Sequence, residues 1–178
     1  MIKQCMMLMQ TNGWMPLNLK WVEVSVNQAQ NKILPGTWVF RRKRTTDGQI
    51  KKYKARYCVR GDLQEGEFET FAPVVAWSTV RFFLVFSLTF GWTTCSIDFA
   101  NAFVQAPLHD PVWIQLLRGF WSGKQQATCL KLHKSLYGLS TAPHLWHQHL
   151  FTTLLELGFK QSLFDPCLLC KPGIMTVC

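Results

Sequence analysis

Thr46-Asp47-Gly48 separates two runs rich in aromatic and β-branched residues, and this arrangement constrains the fold more than any other stretch of the chain. Asp-Gly tolerates the positive φ that a tight antiparallel turn demands. The reading is a hairpin: one strand opens at Trp38-Val39-Phe40, and a second runs back over Ile50 to Val59. The hairpin carries Arg41, Arg42, Lys43, Arg44, Lys51, Lys52, Lys54, Arg56 and Arg60, nine of the 19 basic residues in the chain, with Asp47 the only acid among them. Clustered cations of this kind mark a surface for a polyanion. On an isolated hairpin the same cluster also reads as a solvated face.

The whole chain repeats that bias. Its 178 residues carry a net charge of +9, and the isoelectric point is near 9.4. Nucleic acid is the first expected partner and an anionic membrane surface the second. Apolar residues make up 48% and charged residues 16%, which excludes a disordered composition and suits a packed domain. The most apolar stretch, Phe82 to Trp92, is about half the ~20 residues a membrane span needs, and Arg81 precedes it. The N-terminus lacks the long apolar run of a signal peptide. Seven cysteines, odd in number and irregular in spacing, fit reduced thiols in an intracellular protein better than a disulfide framework.

Residues 1–30 are weakly patterned, with Pro16 as punctuation and a helix expected over Leu19 to Ile33. Ser78 or Thr79 is placed to cap a helix that runs to Phe90 and stops at Gly91; it is apolar nearly all round and should be buried. Thr93 to Ile97 is β-prone and ends at Asp98. Val112 to Leu116 and Thr128 to Leu132 are further strands. Pro143 suits a first helical turn, and Trp146, Leu150, Leu154 and Leu157 then recur as one buried helical face, ended by Gly158. Strands mixed irregularly with helices argue an α+β fold.

Asp98 is the sharpest chemical candidate. A carboxylate where a strand ends can reach out of a sheet towards a hard cation such as Mg²⁺, although an Asp there is more often a turn or cap residue. His144, His147 and His149, together with Cys167-x-x-Cys170, supply ligand types that suit Zn²⁺. The competing structural reading puts those histidines on a helix with a core face.

The blocks Trp38 to Arg44, Asp47 to Arg56, Arg60-Gly61 with Gln64, Thr70 to Val75, and Thr79-Val80-Arg81 stand in an order that resembles copia-type retrotransposon reverse transcriptases. So do Ile97-Asp98-Phe99-Ala100-Asn101-Ala102-Phe103, the run from Leu130 to Leu139 with Ala142-Pro143 and Trp146, Gly158-Phe159, and Asp165 to Leu168. The resemblance covers about residues 30 to 178 and implies the fingers and partial palm of a right-hand polymerase, with residues 31–178 as that domain. It implies RNA-directed DNA synthesis on an RNA template and DNA primer, from deoxynucleoside triphosphates, by two-metal transfer with Mg²⁺ or Mn²⁺. A complete element would add integrase and RNase H.

By resemblance, Asp98 is the first catalytic, metal-binding aspartate, with the Phe99 carbonyl beside it. Phe103 takes the steric gate against the ribose 2′-OH, the group that separates RNA from DNA precursors. Lys54 and Arg56 grip the triphosphate, and Tyr137-Gly138 lies under the nucleotide and template base. Arg41, Arg42, Lys43, Arg44, Lys51 and Lys52 contact nucleic acid. The family's paired aspartates, in a Tyr-x-Asp-Asp hairpin, are expected within a few residues after Cys178; no adjacent Asp pair occurs in the 178 residues, so no activity is expected of them alone. Ser140-Thr141-Ala142-Pro143-His144 replaces the family's usual Lys-Gln-Ala-Pro-Arg, which loosens contacts to nucleic acid. The alternative is a non-catalytic nucleic-acid-binding remnant.

Overall fold

The computed structural model describes residues 21–116 and 128–178. Among these, three sheets and two helices form a mixed α and β chain. The largest sheet is built from β1 (Trp21–Ser25), β2 (Ile33–Leu34), β5 (Pro107–Gln115) and β6 (Thr128–Lys134), in the order β1-β6-β5-β2. β6 pairs antiparallel with both β1 and β5, and β2 adds to β5 in parallel. Its inward side chains make the core: Leu34, Ile114, Leu130 and Leu132 are each 2% exposed or less. Burying such a side chain contributes roughly 1.5–3 kcal/mol each.

The helix expected over Leu19 to Ile33 does not form. Trp21–Ser25 is a strand, followed by a 3-10 turn at Val26–Gln28 and then β2. The physical reason is non-local, because β1 pairs Trp21 with Leu132 and Val24 with Cys129, more than a hundred residues away in sequence. Residues 1–20, with Pro16 and Leu19 among them, lie outside the described residues.

Strands β3 (Gly36–Arg44) and β4 (Ile50–Val59) pair antiparallel as a two-stranded sheet. The turn closes by Thr45 N–H donating to the Gln49 carbonyl at 2.9 Å, with Gly48 at φ +79°. Ala55 and Val59 are the buried side chains of the hairpin, both in the second half of β4, so its tip stands clear of the core.

Helix α1 (Trp77–Thr89) follows, and Gly91 leaves it with φ +64°. The sequence places its cap at Ser78 or Thr79; the helix instead begins after Ala76, and the carboxylate of Asp165 holds its first turn. Its expected burial also fails. Trp77, Val85 and Leu88 are 77%, 63% and 82% exposed, and Ser87 is the buried member. Apolar composition shows that a face suits burial; it cannot supply the surface that covers it, and the described residues do not.

Helix α2 (Ala142–Glu156) starts with Pro143 in its first turn. It ends in a Schellman arrangement: Gly158 N–H reaches the Leu155 carbonyl, Phe159 N–H reaches that of Leu154, and Gly158 adopts φ +86°. Trp146, Leu150 and Leu154 are half-buried, whereas Leu157, expected on the same buried face, is 60% exposed past the helix end. The chain closes with a meander of β7 (Lys160–Gln161), β8 (Leu168–Lys171) and β9 (Ile174–Val177). No helix among the described residues is long and apolar enough to cross a membrane.

Candidate nucleotide and nucleic-acid site

The root of the hairpin docks on the turn after β6. Val59 N–H donates to the Tyr137 carbonyl at 2.8 Å, and Gly61 N–H to that of Gly138 at 3.1 Å. Gly138 sits at φ +93°, and a Cβ there would run into the Val59 carbonyl oxygen. A Cβ on Gly61 would strike the Gly138 carbonyl in turn. Two glycines thus allow two backbones to meet where side chains would hold them apart.

That docking gathers three of the sequence-identified residues. The Arg56 guanidinium lies 5.6 Å from the Tyr137 ring centroid, in cation–π range. The Phe103 ring meets Tyr137 edge-on at 5.0 Å. Phe103 belongs to a 3-10 turn, Ala102–Gln105, entered through Asn101 in the left-handed conformation at φ 54°. Gly138 lies beside them through its backbone, and Arg56, on β4, is two residues from Lys54 on the same face.

The register sorts the remaining cations. Arg41 stands opposite Lys54, and Lys43 opposite Lys52. Side-chain alternation therefore puts Arg41, Lys43, Lys52, Lys54 and Arg56 on one face, the face on which Arg56 meets Tyr137. Like charges directly opposite repel. Lys43 is the main cause holding the Lys54 ammonium below its ordinary pKa, with burial second and Arg56 third. Arg41, Arg42, Lys43, Arg44, Lys51 and Lys52 are all exposed.

Asp98 is placed differently from the sequence expectation. Thr93 to Ile97 forms no strand; residues 92–99 are irregular and exposed. A strand needs a neighbour to pair with, and none of the described strands pairs with this segment. What holds it lies just downstream. Phe99 meets the Trp146 ring edge-on at 5.2 Å, and the Gln105 side-chain amide donates to the Ala100 carbonyl at 2.8 Å. Among the described residues no three His, Cys, Asp or Glu side chains converge to hold a metal. The Mg²⁺ or Mn²⁺ that the resemblance implies would find Asp98 outside any such cluster, so the residues present do not by themselves fit that ion.

Zinc ligands do not assemble either. His144 Nδ1 is engaged with the Phe71 carbonyl at 2.6 Å, and His147 stacks on Phe151. Cys167 is fully buried, and burial pushes its thiol up to about 11, away from the thiolate a metal needs. Three contributors escape a reading by motif: Gly61 as the packing partner of Gly138, Trp146 as the contact of Phe99, and Asp165 as the cap of α1. The sequence signals them only as members of ordered blocks, without their partners.

A cationic strand face thus ends on an aromatic pair and a glycine turn. Residues 18–176 match the reverse transcriptase (RNA-dependent DNA polymerase) family, and the chain belongs to that family. It is 33% identical over 154 residues to the retrovirus-related Pol polyprotein from transposon RE1 of Arabidopsis thaliana, covering 85% of this chain and 10% of that protein. The corresponding polyprotein from transposon RE2 of the same plant is 34% identical over 134 residues, 74% of this chain and 9% of the relative. That from transposon TNT 1-94 of Nicotiana tabacum is 31% identical over 138 residues, 75% and 10%. The chain thus spans about a tenth of the length of these relatives. No solved structure matches it.

Proposed function

We propose that this chain is the substrate-gripping part of an RNA-directed DNA polymerase within a retrotransposon polyprotein. The observation that carries the reading is the meeting of Arg56, Phe103 and Tyr137 at the root of the basic hairpin. A planar guanidinium and an ammonium on one strand face suit the triphosphate of an incoming nucleotide. The Tyr137 ring offers a flat wall to a base. Phe103, packed against it, would close on the sugar and disfavour a 2′-OH. The outer cations, Arg41 to Arg44 with Lys51 and Lys52, would follow the backbone of an RNA template and DNA primer.

Two-metal nucleotidyl transfer needs about three carboxylates around two divalent cations. Asp98 would supply one, and no cluster of acids forms around it among the described residues. On this reading the 178 residues bind substrates without joining them, and integrase and RNase H belong to the complete element. The second reading, a nucleic-acid binder with no nucleotide site, draws on the exposure of all six outer cations.

Primer extension on an RNA template, with wild-type chain and Asp98→Asn, tests the reading. No extension is expected from either. Extension by the wild type that Asp98→Asn abolishes would show that the carboxylates present suffice. Affinity for single-stranded RNA is expected to fall steeply between low and moderate salt; a flat response would contradict phosphate contact by the hairpin.

A further inference from the structure

Asp165 is a carboxylate that the polymerase reading leaves unused, yet it is 6% exposed and satisfies three donors from two distant parts of the chain. Its Oδ2 accepts from Ala76 N–H at 3.1 Å and from the Thr79 hydroxyl at 2.5 Å. Its Oδ1 accepts from Cys167 N–H at 2.8 Å. Ala76 and Thr79 begin α1, whose own N-cap makes no side-chain hydrogen bond. Cys167 directly precedes β8 and is buried. Much of the remaining surface of α1 is exposed, so few other contacts fix the helix.

We propose that Asp165 is a positioning residue that clamps the first turn of α1 to the start of β8, and thereby sets where the Asp98 segment lies relative to the β8–β9 hairpin. The route to Asp98 is short and partly stiff. The rings of Phe86 and Phe90 lie 4.4 Å apart, Trp92 stands edge-on to Phe86 at 5.3 Å, and Trp92 N–H donates to the Ser87 carbonyl. Gly91 N–H reaches the Leu88 carbonyl and Gly91 adopts φ +64°, so the chain turns out of α1 in a Schellman arrangement that sets Trp92 against Phe86, with Asp98 six residues further on. The link to Asp98 rests on the proposed polymerase function, whereas the clamp is tested independently of it.

A carboxylate suits this task because it has two acceptor oxygens and no donor. An Asn has one acceptor, which can serve Cys167 or the Ala76–Thr79 side but not both, and turns an N–H₂ towards the other. Asp165 also carries a negative charge at the helix end where the backbone dipole favours one.

The test is amide hydrogen exchange, read residue by residue by NMR on the 178-residue chain. Asp165→Asn is expected to speed exchange at Ala76, Cys167 and the first turn of α1 by about tenfold, while β3, β4 and α2 stay within about twofold. Thr79→Val, which deletes one of the three donors, is expected to give a smaller acceleration at the same sites, and Thr79→Ser to restore the wild-type rates. The amide shifts of Ile97, Asp98 and Phe99 are expected to move in Asp165→Asn. Unchanged exchange at Ala76 and Cys167, or equal acceleration throughout the hairpin, would overturn the clamp. Stationary shifts at residues 97–99 would overturn the positioning role. If Asp165→Asn does not fold, the Thr79→Val and Thr79→Ser pair decides, because a clamp requires the hydroxyl and a mere packing contact does not.

Discussion

Gly138 and Gly48 both adopt positive φ, but they are not equivalent. A Cβ on Gly48 would meet nothing within 4 Å, whereas one on Gly138 would strike the Val59 carbonyl. Gly48→Ala should therefore cost only the left-handed backbone penalty, about 1 kcal/mol, and Gly138→Ala clearly more, at least about 2 kcal/mol, because the hairpin root must lift off the turn. Thermal or chemical unfolding of the two variants measures this; equal losses would mean that the approach at Val59 is not tight. Lys54 offers a second residue-scale outcome. Its pKa is held down mainly by Lys43, so Lys43→Gln should raise it towards the ordinary 10.5 in an NMR titration. Because the folded value is the lower one, the unfolded chain binds the extra proton between the two values, and this group's contribution to stability rises with pH across that window. An unmoved Lys54 titration in Lys43→Gln would remove the repulsion argument. At this scale the sequence was informative about identity and silent about company. Arg56, Phe103 and Tyr137 could be named from ordered motifs, but their meeting depends on residues 47 and 34 positions apart in the chain packing at one turn.

Among elements, the hairpin was legible because a turn and two flanking runs are local features, and its register follows from the turn. β1 was not legible, since its partner β6 lies far along the chain and its five residues, Trp21–Ser25, are too short a run to fix a strand locally. Thr93 to Ile97 shows the converse: β-prone residues that have no strand beside them among the described residues stay irregular. Helix α1 was placed within a residue or two, and its stop at Gly91 was right, but its exposure was misjudged from composition. That exposure has a measurable consequence. Leu88→Lys and Val85→Lys should change stability by no more than about 0.5 kcal/mol, while Ile114→Ala in the β5 core should cost about 2–5 kcal/mol. Chemical denaturation of the three variants tests this; a large loss in Leu88→Lys would show the face to be covered.

Over the whole molecule, charge and family membership point the same way. A net charge of +9, with five cations on one hairpin face, gives a self-repelling surface that a polyanion such as the proposed nucleic acid would neutralise. Replacing Arg41, Arg42, Lys43 and Arg44 by Ala should lower the salt slope of single-stranded RNA binding by about 3, at about 0.7 for each phosphate that is no longer neutralised. An unchanged slope would place the phosphate-binding surface elsewhere. On the proposed function, substrate grip and catalysis separate at this scale. The residues proposed to grip substrate meet around Tyr137, whereas Asp98 lies on an exposed segment outside any cluster of acids among the described residues. The proposed function makes the root of the hairpin a nucleotide site. Its most direct test is the affinity of the 178-residue chain for a fluorescent RNA–DNA primer–template, measured with and without the complementary deoxynucleoside triphosphate. The triphosphate is expected to tighten the complex in the wild type and to lose that effect in Arg56→Ala. Equal affinity with and without the nucleotide in the wild type would contradict it, leaving a nucleic-acid binder with no nucleotide site.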